Sequence, residues 1–111
     1  MKIISIISLL LSSSVLAEST CIGKVSTLSI GRGGVLMVGG PGGLPDSYLC
    51  NVHTKNNDVQ PEACKIFYSQ LLAAQAQDVN VKITFNPGYS SCSEIKAWSW
   101  ATNVNWIIVN K

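Results

Sequence analysis

Residues 48–85 read YLCNVHTKNNDVQPEACKIFYSQLLAAQAQDVNVKITF, and the alternations within them decide the fold. Tyr48 to His53 alternates, with Tyr48, Cys50 and Val52 on one face, the pattern of a half-buried strand. Lys55-Asn56-Asn57-Asp58 is a polar turn, rich in the residues that turns favour. Pro61 suits the first position of a helix, where its missing N–H leaves no bond unmade. Glu62 beside it lies at the positive end of the helix dipole. Cys64, Phe67, Tyr68, Leu71 and Leu72 then follow as an apolar stripe at helical spacing. The opposite face holds Lys65, Ser69, Ala73 and Gln77, with one charge among them. The helix is expected to end near Gln77-Asp78. Val79, Val81, Ile83 and Phe85 alternate with Asn80, Lys82 and Thr84, the cleanest strand pattern in the chain.

Two strands are expected before this stretch and one after it. Lys24 to Ile30 carries Val25, Leu28 and Ile30, then Gly31-Arg32-Gly33-Gly34 turns the chain, and Val35 to Val38 is a short apolar run. Together they predict a hairpin. Gly39-Gly40-Pro41-Gly42-Gly43-Leu44-Pro45 reads as a long flexible hairpin loop. It lacks the Lys-Ser/Thr ending with which a phosphate-binding loop engages phosphate and metal. Asn86-Pro87-Gly88 stops the strand after the helix, residues 89–103 form a loop, and Val104 to Val109 is the last strand. The order β-β-β-α-β-β predicts an α+β domain, mainly β with one helix: an OB-fold-like five-stranded barrel.

The start of the chain reads as an export signal. Lys2 supplies a basic start, Ile3 to Leu11 is apolar apart from Ser5 and Ser8, and Val15-Leu16-Ala17 suits signal peptidase. Residues 1–17 are thus expected to be a signal peptide, and 18–111 a single OB-like domain, secreted or periplasmic. The apolar run is too short for a stable membrane anchor, and no membrane insertion is expected. Removal of Lys2 leaves seven basic residues against six acidic ones, a net charge of about +1. Without a basic cluster, nucleic acid is not expected as a partner. Cys21, Cys50, Cys64 and Cys92 form an even set behind an export signal, which reads as two disulfides. Three pairings are open.

Catalytic chemistry finds little support. Oxidised cysteines offer no thiolate. His53, the lone histidine, has no G-x-S-x-G serine to serve. Asp58 and Glu62 are explained as residues at the start of the helix, and Asp46, Asp78 and Glu94 share no local context. No enzyme activity, no cofactor and no metal site is expected; no cysteine pair has CxxC spacing. The aromatic residues are the better lead. Tyr89, Trp98 and Trp100 cluster before the last strand, where an OB-fold borders its usual ligand face. Their rings pair an apolar body with a polar tip, which suits exposed contact surfaces and sugar C–H faces. The alternative is that Trp98 and Trp106 cap an open barrel end.

Tyr48-Leu49-Cys50, Ala63-Cys64, Phe67-Tyr68-Ser69-Gln70-Leu71-Leu72 and Val81-Lys82-Ile83-Thr84-Phe85 together resemble the receptor-binding B subunit of subtilase cytotoxin, an AB5 toxin. The similarity covers roughly residues 25–85 and rests on short motifs. It implies an OB-fold, a homopentamer with the helix lining the centre, and binding to sialylated cell-surface glycans. It also implies a Cys50–Cys64 disulfide, which leaves Cys21 for Cys92. Phe85, at the place of the family's pocket tyrosine, has no hydroxyl, and the part carrying Cys92 and the three tryptophans departs from the family pattern. The sequence therefore points to a secreted recognition protein that binds a glycan, with a secreted protein partner as the alternative. The exported protein is expected to begin at Glu18. Intact mass spectrometry checks this, and a chain still starting at Met1 would contradict it.

Overall fold

The computed structural model describes residues 18–110; the expected signal peptide, residues 1–17, lies outside them. Six strands and one long helix are laid out as β1 (Ser19–Gly23), β2 (Thr27–Ile30), β3 (Val35–Gly39), β4 (Ser47–Asn51), α1 (Pro61–Gln77), β5 (Val81–Phe85) and β6 (Val104–Val109). The domain is mainly β with one helix, as expected. The closed five-stranded barrel is not what forms. There are two open three-stranded sheets, ordered β1-β5-β6 and β2-β3-β4, with antiparallel pairing throughout.

Two local causes account for the difference. First, the chain from Ser19 to Ile30 makes two strands with different partners. β1 aligns Cys21 with Ile83 of β5, whereas β2 aligns Leu28 with Val38 of β3. Second, the segment that reaches back to β4 is irregular. Tyr48 and Trp100 form an isolated parallel bridge, but Trp98 and Asn103 on either side have φ of 58° and 69°. Left-handed residues interrupt a strand, so β6 starts only at Val104 and no continuous ladder closes the structure.

The core lies between the sheets and the helix. Leu36, Val38, Leu49, Val81, Ile83 and Phe85 are fully buried from the strands, and Cys64, Leu71 and Ala74 are buried from α1. The inward stripe of α1 runs 64–67–68–71–74, with Phe67 and Tyr68 half-buried. Leu72, expected on this stripe, is 46% exposed, because it lies about 100° around the helix from Leu71. The helix begins at Pro61 and ends on Asp78, whose left-handed backbone (φ 54°) brings its N–H to the carbonyls of Ala74 and Gln75.

The glycine-rich loop is packed rather than loose. Pro41–Gly43 forms a 3-10 turn with Pro41 and Leu44 buried. Gly40 donates to Leu44 O at 2.9 Å, and Leu44 to Pro41 O at 3.0 Å. Gly42 shows why glycine is needed here: its φ is +63°, and an added Cβ would lie 3.1 Å from Cys21 Cα.

Both expected disulfides are present, Cys21–Cys92 and Cys50–Cys64, and among the described residues no cysteine is free. Cys50–Cys64 ties β4 to the first turn of α1. Cys21–Cys92 ties β1 to the loop after β5. Their sequence separations are 14 and 71 residues. Loop-closure entropy in the unfolded chain then gives about 3 kcal/mol for the short bridge and about 4 kcal/mol for the long one, even allowing for the short bridge nested inside it. Replacing each pair by alanine should therefore cost more for Cys21/Cys92 than for Cys50/Cys64. Urea denaturation of the two double variants checks the order.

Candidate functional site

The hairpin of β2 and β3, with β4 beside it, builds a two-faced sheet. Leu36, Val38 and Leu49 point to the core. Ser29, Met37 and Tyr48 are aligned with one another across the three strands and are half-buried. They form the floor of a cleft of about 440 Å³, completed by Ile30, Gly31 and Val35 at the hairpin end and by Trp98 at the rim. The lining contains no Asp, Glu, Lys, Arg or His, and its polar side chains are limited to Ser29, Tyr48 and the indole of Trp98.

Trp98 is held at this rim by its own backbone. Its N–H donates to Asp46 O at 2.7 Å; Tyr48 N–H donates to Ser99 O at 2.9 Å, and Ala101 N–H to Tyr48 O at 3.0 Å. Ser99 Oγ donates to Lys96 O at 2.7 Å, and the side-chain amide of Asn57 donates to Leu49 O and Ala101 O at 2.9 and 2.7 Å. This network keeps Trp98 in the left-handed region, at φ 58°, an uncommon conformation for a bulky residue. Its side chain is nonetheless 65% exposed. Trp100 lies next to it. It is 38% exposed and meets the Tyr48 ring edge-on, with centroids 5.7 Å apart and planes at 72°, a favoured aromatic geometry.

The three aromatic residues singled out in the sequence thus separate into two groups. Trp98 lines the cleft with Tyr48, and Trp100 packs on the Tyr48 ring without lining the cleft. Tyr89 stands apart and is not among the cleft's lining residues. Its N–H donates to Ser19 Oγ at 2.9 Å, its ring meets Phe85 edge-on at 5.3 Å, and its hydroxyl bonds to Thr102 O at 3.1 Å and Thr102 Oγ1 at 2.9 Å. These contacts give it a structural task. Trp106, expected as a core or capping residue in the alternative reading, is 62% exposed. Ile30, Met37 and Tyr48 were not legible as site residues, because alternation shows which residues share a face and not which face meets solvent.

A second, polar cleft of about 500 Å³ lies between the turn before α1 and the adjoining ends of β5 and β6. Among the described residues no group of three His, Cys, Asp or Glu side chains converges, and no helix is long and apolar enough to cross a membrane. The fold and cleft define a small disulfide-bonded, mainly β domain with an aromatic-rimmed apolar groove. Compared with known proteins, the chain matches no family model, no curated protein and no solved structure.

The conformation of Trp98 yields a stability test. An L-residue in the left-handed region costs roughly 1–2 kcal/mol relative to glycine. Trp98→Gly should therefore be more stable than Trp98→Ala by about 1 kcal/mol. Thermal melts of the two variants check the difference, and an equal or lower stability for the glycine variant would contradict the backbone assignment.

Proposed function

We propose that the protein is a secreted or periplasmic, non-enzymatic recognition domain that binds a protein partner by seating an apolar side chain in the Tyr48–Trp98 cleft. One observation carries this reading. An uncharged groove floored by Met37 and Tyr48 and walled by Ile30 and Val35 stands open to solvent beside an exposed tryptophan. Tryptophan and tyrosine dominate the energetics of protein interfaces, and methionine adapts to differently shaped apolar partners.

A sialylated glycan, the ligand implied by the toxin-subunit resemblance, requires polar or cationic groups to converge beside an aromatic platform. This groove offers only the Ser29 and Tyr48 hydroxyls and the indole N–H. The open face of Trp98 is what supports a glycan here. The ring of copies implied by the same resemblance is supported by the outer side of α1, where Ile66 is 60% exposed and Ser69 and Ala73 add no charge.

Selection of phage-displayed peptides on the intact protein tests the proposal, with a glycan array read in parallel. Peptides with an aromatic or large aliphatic anchor are expected. Their binding should fall at least about tenfold in Trp98→Ala, as when an interface anchor is truncated, while the protein stays folded. Peptides that bind Trp98→Ala as well as wild type, or no selected peptide, would overturn the partner reading. An array signal lost in the same variant would put a glycan in its place.

A further inference from the structure

The apolar groove leaves unexplained the second concavity, whose chemistry is the opposite. Its wall is Asn57, Asp58, Asn86, Thr102, Asn103 and Asn105, with Val104 among them. We propose that this amide-lined cleft is a binding site for a neutral polyhydroxylated ligand, a sugar unit carrying adjacent hydroxyls. It shares no lining residue with the Tyr48–Trp98 cleft, and the proposal does not rest on the function assigned there.

The donor set selects the ligand class. A primary amide offers two N–H donors and a carbonyl acceptor. A pair of neighbouring hydroxyls, one donating and one accepting, is its natural complement. Asn86, Asn103 and Asn105 are exposed, with their amides open to solvent, and Asp58 adds one acceptor-only carboxylate. No Lys or Arg lines the cleft, so nothing there balances a phosphate, a sulfate or a sialic-acid carboxylate. Val104 gives an apolar contact for the C–H side of a ring.

Turn chemistry explains only part of this set. Asn56 and Val59 exchange backbone hydrogen bonds at 3.3 and 2.9 Å, so Asn57 and Asp58, with φ of 56° and 59°, are the centre of a two-residue turn that favours these residue types. Asn103, at φ 69°, is explained in the same way. Asn86 is the strand stop before Pro87, and Asn105 has no turn role. Neither has a left-handed backbone. Asn105 lies inside β6, where asparagine is disfavoured, and Asn86 directly follows β5. Asn86 follows Phe85, which pairs with Val104, and Asn105 follows Val104, so both stand at the same end of the β5–β6 pair and line the same cleft.

The frame is also held in place before any ligand arrives. Asn86 N–H donates to Asn103 O at 2.9 Å. The Tyr89 hydroxyl bonds to Thr102, and Asn57 is pinned by its amide to Leu49 O and Ala101 O. A site fixed in this way loses little conformational entropy on binding.

Two arms test the proposal on the intact protein: an array of neutral and sialylated oligosaccharides, and saturation-transfer NMR with the methyl glycosides of glucose, galactose, mannose and N-acetylglucosamine. A neutral saccharide is expected to bind in at least one arm. A signal from the methyl glycosides identifies a single sugar unit as sufficient, and a signal from the array alone identifies an extended glycan as the source. The Asn86→Ala/Asn105→Ala variant should weaken that binding at least about tenfold, the loss expected for ligand hydrogen bonds. Trp98→Ala should leave it unchanged, which separates this site from the apolar groove. If circular dichroism shows the double variant unfolded, the two single variants are read in its place. No binding of any neutral saccharide, binding of sialylated glycans alone, or full binding by the asparagine variants would overturn the proposal.

Discussion

Three backbone hydrogen bonds join residues 46–48 to residues 98–101: Trp98 N–H to Asp46 O, Tyr48 N–H to Ser99 O, and Ala101 N–H to Tyr48 O. The two sheets have no shared ladder, so this short clamp is where β4 of one sheet meets the chain leading into β6 of the other. Ala101, fully buried at its end, anchors it in the core. Asn57 reinforces it from the side by bonding carbonyls on both strands of the clamp. Severing such buried bonds leaves polar groups without partners, which costs more than the bonds contribute when made. The left-handed Trp98, the edge-on Tyr48–Trp100 pair and the apolar groove all follow from the clamp's position.

Much of the local structure was legible because its signals are short-range. Val81 to Phe85 alternates without a fault, Pro61 and Glu62 mark a helix start, and an even set of four cysteines behind an expected export signal implies two bridges. The pairing of Cys50 with Cys64 came from the resemblance, and the structure contains it. β1 was missed for a physical reason. Of Ser19-Thr20-Cys21-Ile22-Gly23 only Cys21 is buried, so the strand has almost no hydrophobic alternation to read. What holds it is its pairing with β5 and the Cys21–Cys92 bridge, both remote in sequence. Without β1 the expected order holds five strands, the number of a closed barrel, instead of the six that form two open sheets.

The candidate sites follow the same division. Trp98 and Trp100 stood out because tryptophan in a polar loop requires contact of some kind. Tyr89 stood out equally and is occupied by Phe85 and Thr102, which no local pattern reveals. The amide cleft was illegible. Its residues lie at 57–58, 86 and 102–105, and read singly they belong to a turn, a strand end or, for Asn105, a strand. Only the tertiary fold brings them together.

One stretch of chain, residues 98–105, supplies both concavities: Trp98 at one end faces the apolar groove, and Thr102 to Asn105 at the other line the polar one. Ala101 sits between them in the core. Asn57 belongs to both, since it lines the polar cleft while its amide holds the clamp that seats Trp98. That double role fixes what each cleft can tolerate. The apolar groove depends on Asn57 as a hydrogen-bond donor. The polar cleft can use only what remains of that side chain, its carbonyl oxygen. Asn57 and Asp58 can therefore meet only ligand donors, while the amides of Asn86, Asn103 and Asn105 can meet donors and acceptors alike. A vicinal diol can satisfy both sides at once, because each hydroxyl both donates and accepts.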